Sequence, residues 1–145
     1  MMKIDRKRIR EKVLALLDEW LQAEDDTVAM TARVGKATKN EAIHLYMDII
    51  RTDSLKHKKI QQFLKTTMTE RAVALSFDEI ATIAALVNDH LALEQKTVDL
   101  GHEILPKITH PVEKQLFDYL LSDEELHVQL LQSLALFKGA AERNT

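Results

Sequence analysis

The chain has no cysteine among its 145 residues, which excludes disulfides, thiolate metal sites, iron–sulfur clusters and cysteine nucleophiles. That absence agrees with a reducing compartment. Breakers are scarce as well. Three glycines and two prolines leave little to interrupt a helix, so long helices are expected rather than sheets. No apolar run reaches the ~18 residues of a membrane span, and no leader-like segment is visible. The expectation is a soluble, cytoplasmic protein that engages no membrane. An excess of positive charge is also missing. The net charge of −3 argues against a dedicated nucleic-acid binder. One basic run, Lys3–Lys12, holds Lys3, Arg6, Lys7, Arg8, Arg10 and Lys12. It reads as the solvated start of a helix rather than a phosphate-binding patch.

What the chain does have is a repeat. Asn40–Leu64 laid on His110–Leu134, an offset of 70 positions, puts Asp48 on Asp118, Asp53 on Asp123, His57 on His127 and Leu64 on Leu134. Thr52 meets Ser122, Ile50 meets Leu120 and Ile60 meets Leu130. Each copy holds Asp-x-x-x-His inside an apolar stripe, and residues four apart share one face of an α-helix. The offset also relates the segments that precede these two. Val13 falls on Ile83, Leu17 on Val87, Leu21 on Leu91, Glu24 on Glu94 and Val28 on Val98. Trp20 falls on His90 and reads as packing.

Four helices are expected. The first starts after Asp5 as N-cap and carries Ile9, Val13, Leu16, Leu17, Trp20, Leu21, Glu24 and Val28 on one stripe, stopping near Gly35. Thr38-x-x-Glu41 reads as a capping box opening the second. Its inner face is Ile43, Tyr46, Met47, Ile50, Asp53, His57, Ile60 and Leu64. Its end is not marked in Lys65–Leu75. A stop near Leu64 leaves room for a long crossover, and continuation through Val73 leaves a tight turn. Ser76-x-x-Glu79 caps the third helix, whose stripe is Ile80, Ile83, Val87, Leu91, Glu94 and Val98, with His90 beside it. The fourth begins near Thr109 or His110 with Pro111 in its first turn and runs inward through Leu116, Leu120, Asp123, His127, Leu130 and Leu134. Residues from about Gly139 are expected to fray. The expected fold is therefore all-α. It is a single four-helix-bundle domain over 1–145, built from a duplicated hairpin, 5–68 and 76–138.

The polar residues on the inner stripes form one set: Glu24, Asp53, His57, Glu94, Asp123 and His127, with Glu124 next door. Carboxylates gathered in a core repel one another, and two divalent cations would neutralise them. Hard oxygens with borderline imidazoles suit iron or manganese, with zinc as an alternative. His90 is a candidate ligand, a partner of one, or a core histidine. His44, His102 and His110 read as surface or helix-end residues.

This pattern resembles the ferritin-like di-iron carboxylate superfamily, nearest its rubrerythrin-like branch. In that superfamily two helices each give a Glu and two give Glu-x-x-His. Glu124-x-x-His127 fits as it stands, and Glu24 and Glu94 fit the lone glutamates. The second helix departs from the pattern, because Ser54 stands three before His57 and Asp53 must serve instead. The resemblance implies a di-metal site, with redox chemistry on oxygen or peroxide, or iron handling, and an external electron donor. A homodimer is the expected assembly. The rival reading is a non-catalytic helical module, binding or stress-associated, that keeps the polar cluster as a degenerate hydrogen-bonded site.

Overall fold

The computed structural model describes residues 5–71 and 76–143. Lys3 of the basic run, and Val73 with the rest of 72–75, lie outside the described residues. The chain is all-α. Four long helices follow in order, α1 (Arg6–Ala37), α2 (Glu41–Thr69), α3 (Phe77–Ile104) and α4 (Pro111–Arg143), with one 3-10 turn (Leu105–Lys107) before α4. No strand occurs among the described residues. α1 packs along α2 and α3 along α4, and the chain divides into two compact units, Met1–Val73 and Ala74–Thr145. Each unit is one antiparallel hairpin, and the division falls where the sequence repeat divides.

The helix ends follow from local chemistry. Asp5 caps α1 by accepting from the backbone N–H of Lys7 and Arg8. α1 runs two residues past Gly35, to Ala37. Asn40, not Thr38, then caps α2, accepting from the Ile43 N–H at 3.2 Å, while the Thr38 hydroxyl accepts from the Asn40 N–H. His44 Nε2 donates to the carbonyls of Gly35 (3.0 Å) and Thr38 (2.7 Å), satisfying acceptors left over at the end of α1. The Ser76–Glu79 capping box is present as expected. α2 passes Leu64 and ends at Thr69, and α4 continues helically through Gly139 to Arg143.

The seams of α1 and α3 follow the expected stripes, through Leu17, Glu24, Ile80 and Val98, but those of α2 and α4 are rotated from the expected inner faces. In hairpin 1, α2 turns Ser54 and Gln61 toward α1, with Met47 and the stem of Lys58 partly covered, whereas Ile43, Ile50, Ile60 and Leu64 are exposed. In hairpin 2, α4 turns Leu121 and Val128 toward α3, with Phe117, Glu124 and Leu131 partly covered, and leaves Leu120 and Leu130 exposed. Met47, Ser54, Lys58 and Gln61 correspond to Phe117, Glu124, Val128 and Leu131 under the offset of 70, so both hairpins share one register. A pair of helices can bury only one seam, narrower than the full apolar stripe of either.

The two seams differ in character. Hairpin 2 buries Ile80 and a cluster of Val98, Leu121 and Val128, with Leu91 and Leu105 packed against that cluster. Hairpin 1 buries Leu17 together with Glu24, Thr31, Ser54 and Gln61. Ion pairs Asp18–Lys65 and Asp25–Lys58 tie α1 to α2, and His102–Glu125 (3.0 Å) ties α3 to α4.

Candidate metal centre

Midway along each hairpin, a glutamate of the first helix meets a histidine of the second. Antiparallel packing sets this meeting, because Glu24 and Glu94 occupy the same position in their helices, as do His57 and His127.

In hairpin 2, Glu94 receives a hydrogen bond from His90 Nε2, one turn before it, at 3.0 Å. Across the seam, His127 Nδ1 lies 3.5 Å from Glu94 Oε2 and 3.5 Å from Glu124 Oε2. Its other nitrogen, Nε2, lies 3.8 Å from Asp123 Oδ2. One donor atom from each of Glu94, Glu124 and His127 falls within 4.8 Å of the other two, and all three side chains are half-buried. Glu94 and Glu124 share a hydrogen bond. That bond is the main reason the Glu94 carboxyl is held below the ordinary carboxylate value and Glu124 is pushed above it. Burial opposes the first shift and adds to the second. The two carboxylates thus meet as like charges across the seam.

That donor set fits a divalent cation. Metal–oxygen and metal–nitrogen bonds of about 2.0–2.2 Å place opposite ligands roughly 4 Å apart, close to the spacing seen here. A cation would also neutralise the like-charge contact of the two carboxylates.

In hairpin 1, Glu24 is 7% exposed and is surrounded by donors. Trp20 Nε1 donates to its Oε1 at 3.0 Å, His57 Nδ1 lies 3.1 Å from the same oxygen, and the Ser54 hydroxyl also donates to the carboxylate. Burial alone would raise the Glu24 carboxyl, but these hydrogen bonds and the His57 charge outweigh it and hold it below the ordinary value. Asp53 pairs with Lys56 on its own helix at 3.0 Å, and Ser54 bonds the Glu24 carboxylate.

Within hairpin 1 the structure brings Glu24 to His57, with Asp53 paired to Lys56, and within hairpin 2 it brings Glu94, Asp123, Glu124 and His127 together. Two partners escaped the sequence reading, Ser54 and Trp20. The offset already pointed to both, since it places Ser54 on Glu124 and Trp20 on His90. No protein-family model, curated protein or solved structure matches the chain.

Proposed function

We propose that the protein binds iron or manganese through a carboxylate–histidine centre whose protein ligands are Glu94, Glu124 and His127, in the manner of ferritin-like carboxylate proteins. The observation that carries the reading is the convergence of two carboxylates and one imidazole, from facing helices, within 4.8 Å of one another. His90 orients Glu94 from behind, as groups beyond the ligands commonly do, and Asp123 stands against the far nitrogen of His127. A metal there supplies redox chemistry with oxygen or peroxide, or is itself the cargo of an iron-handling protein. An apolar pocket of about 130 Å³, lined by Leu100, Gly101, Ile104, Phe117 and Leu121, has Glu124 on its wall. Such a lining suits a small uncharged oxidant better than an extended or charged substrate. Turnover would need an electron donor from outside the chain.

The rival reading, a hydrogen-bonded cluster without metal, is favoured by one observation, the saturated Glu24 carboxylate of hairpin 1. The experiment that decides is anaerobic loading with ferrous iron or manganese followed by elemental analysis of the desalted protein. Retained metal is expected, with loss of it in Glu124→Gln and His127→Ala. No metal above background, and no visible absorption on exposure to oxygen after iron loading, contradicts the proposal.

A further inference from the structure

The two hairpins hold the same site at two stages of completeness. In both, a residue one turn before the central glutamate donates to its Oε1 at 3.0 Å, Trp20 Nε1 to Glu24 and His90 Nε2 to Glu94. In both, an imidazole Nδ1 comes across the seam, 3.1 Å from Glu24 in hairpin 1 and 3.5 Å from Glu94 in hairpin 2. The difference lies three residues before that histidine, where hairpin 2 has Glu124 and hairpin 1 has Ser54.

The exchange changes the chemistry of the cluster. A second carboxylate brings a second negative charge and, with it, a demand for a proton or a cation. A serine brings a hydroxyl that donates, so Glu24 is satisfied by three protein donors and needs neither. Trp20 adds to the closure, because its indole N–H is a permanent donor that occupies Glu24 Oε1.

From this we infer that Ser54 and Trp20 close hairpin 1 to metal, and that the chain takes up one ion, in hairpin 2, rather than the two its duplicated pattern suggests. This rests on the metal reading proposed above and specifies its capacity. The cluster around Glu24 is a structural polar contact that ties α1 to α2. Restoring the two residues of hairpin 2, by Ser54→Glu with Trp20→His, converts it into a second site.

The test is equilibrium dialysis of the full chain against Mn2+, with circular dichroism melts of each variant to establish that it folds. The wild type is expected to hold about one ion per chain. His57→Gln should leave the affinity within about threefold, and His127→Gln should weaken it about tenfold or more. Ser54→Glu/Trp20→His should gain about one further ion and, when metal-free, melt lower than the wild type, with Mn2+ restoring the difference. The reverse change, Glu124→Ser, should remove the ion and raise the metal-free melting temperature. A wild type that holds about two ions, one of them lost with His57→Gln, overturns this inference and leaves the metal reading standing. So does a Ser54→Glu/Trp20→His chain that folds but gains no ion. A wild type that holds none overturns both.

Discussion

Gln61 is 3% exposed, and neither its amide nitrogen nor its amide oxygen has a hydrogen-bond partner. Leaving one such group unsatisfied costs about 1–3 kcal/mol. At the corresponding position hairpin 2 has Leu131, partly covered on the same seam. Gln61→Leu is therefore expected to stabilise the protein by about 1 kcal/mol or more, because it removes the unsatisfied amide and adds apolar burial. Urea unfolding reads the change, and a lower midpoint for Gln61→Leu would mean that the amide has a partner. Glu24 gives the complementary case of a buried polar group that is fully satisfied. Its folded-state pKa lies below the ordinary glutamate value of about 4.5. In the unfolded chain it returns to that value, so between the two the unfolded state binds more protons. Its contribution to stability is thus present above about 4.5 and is lost as pH falls through the folded-state value. Glu24→Gln should remove that part of the acid sensitivity. Melting temperatures of the two proteins should converge as pH is lowered through this window, and parallel profiles would show that the hydrogen bonds do not favour the charged form.

The helices themselves were legible in the sequence to within a few residues, because Asp5, Ser76 with Glu79, and Pro111 announce their starts by chemistry that acts locally. The end of α2 was not legible. Nothing between Lys65 and Thr69 stops a helix, and it ran on to Thr69. Thr38 was a plausible cap displaced by Asn40, two residues on. Which face of α2 and of α4 packs was also hidden. The apolar stripe of α2 centres on Ile43, Ile50 and Leu64, but the seam runs through Ser54 and Gln61. A stripe shows which residues are apolar, and only the position of the neighbouring helix decides which edge of it is covered. Close packing of α3 on α4 has its own test in glycine. Gly35 of α1 has nothing within 4 Å of where a Cβ would lie, whereas a Cβ on Gly101 would come within 2.6 Å of Leu121 Cδ1. Gly35→Ala should stabilise by up to about 1 kcal/mol through helix propensity. Gly101→Ala should destabilise by about 1–3 kcal/mol, because Leu121 belongs to the buried cluster with Val98 and Val128 and has little freedom to move. Thermal melts that shift upward for both would mean that Leu121 rearranges at little cost.

At the scale of the whole molecule, the repeat was the most informative feature of the sequence and also the one most easily over-read. It gave the two hairpins and the equivalence of Glu24 with Glu94 and of His57 with His127, while the pairing of each glutamate with the histidine of its own hairpin came from the structure. It also showed Ser54 where the second copy has Glu124, and the structure adds that both lie against the central glutamate. Equal spacing shows common construction, and the donor atoms decide what each copy can hold. No helix among the described residues is long and apolar enough to cross a membrane.

The claim on which the account turns is that His127, with Glu94 and Glu124, holds a metal ion. Pulsed electron paramagnetic resonance of the Mn2+-loaded protein addresses it directly, since a bound imidazole gives a nitrogen coupling that aquated manganese lacks. The account predicts that coupling in the wild type, its persistence in His57→Gln, and its loss in His127→Gln. A wild-type spectrum without nitrogen coupling, or a coupling that survives His127→Gln, would contradict it.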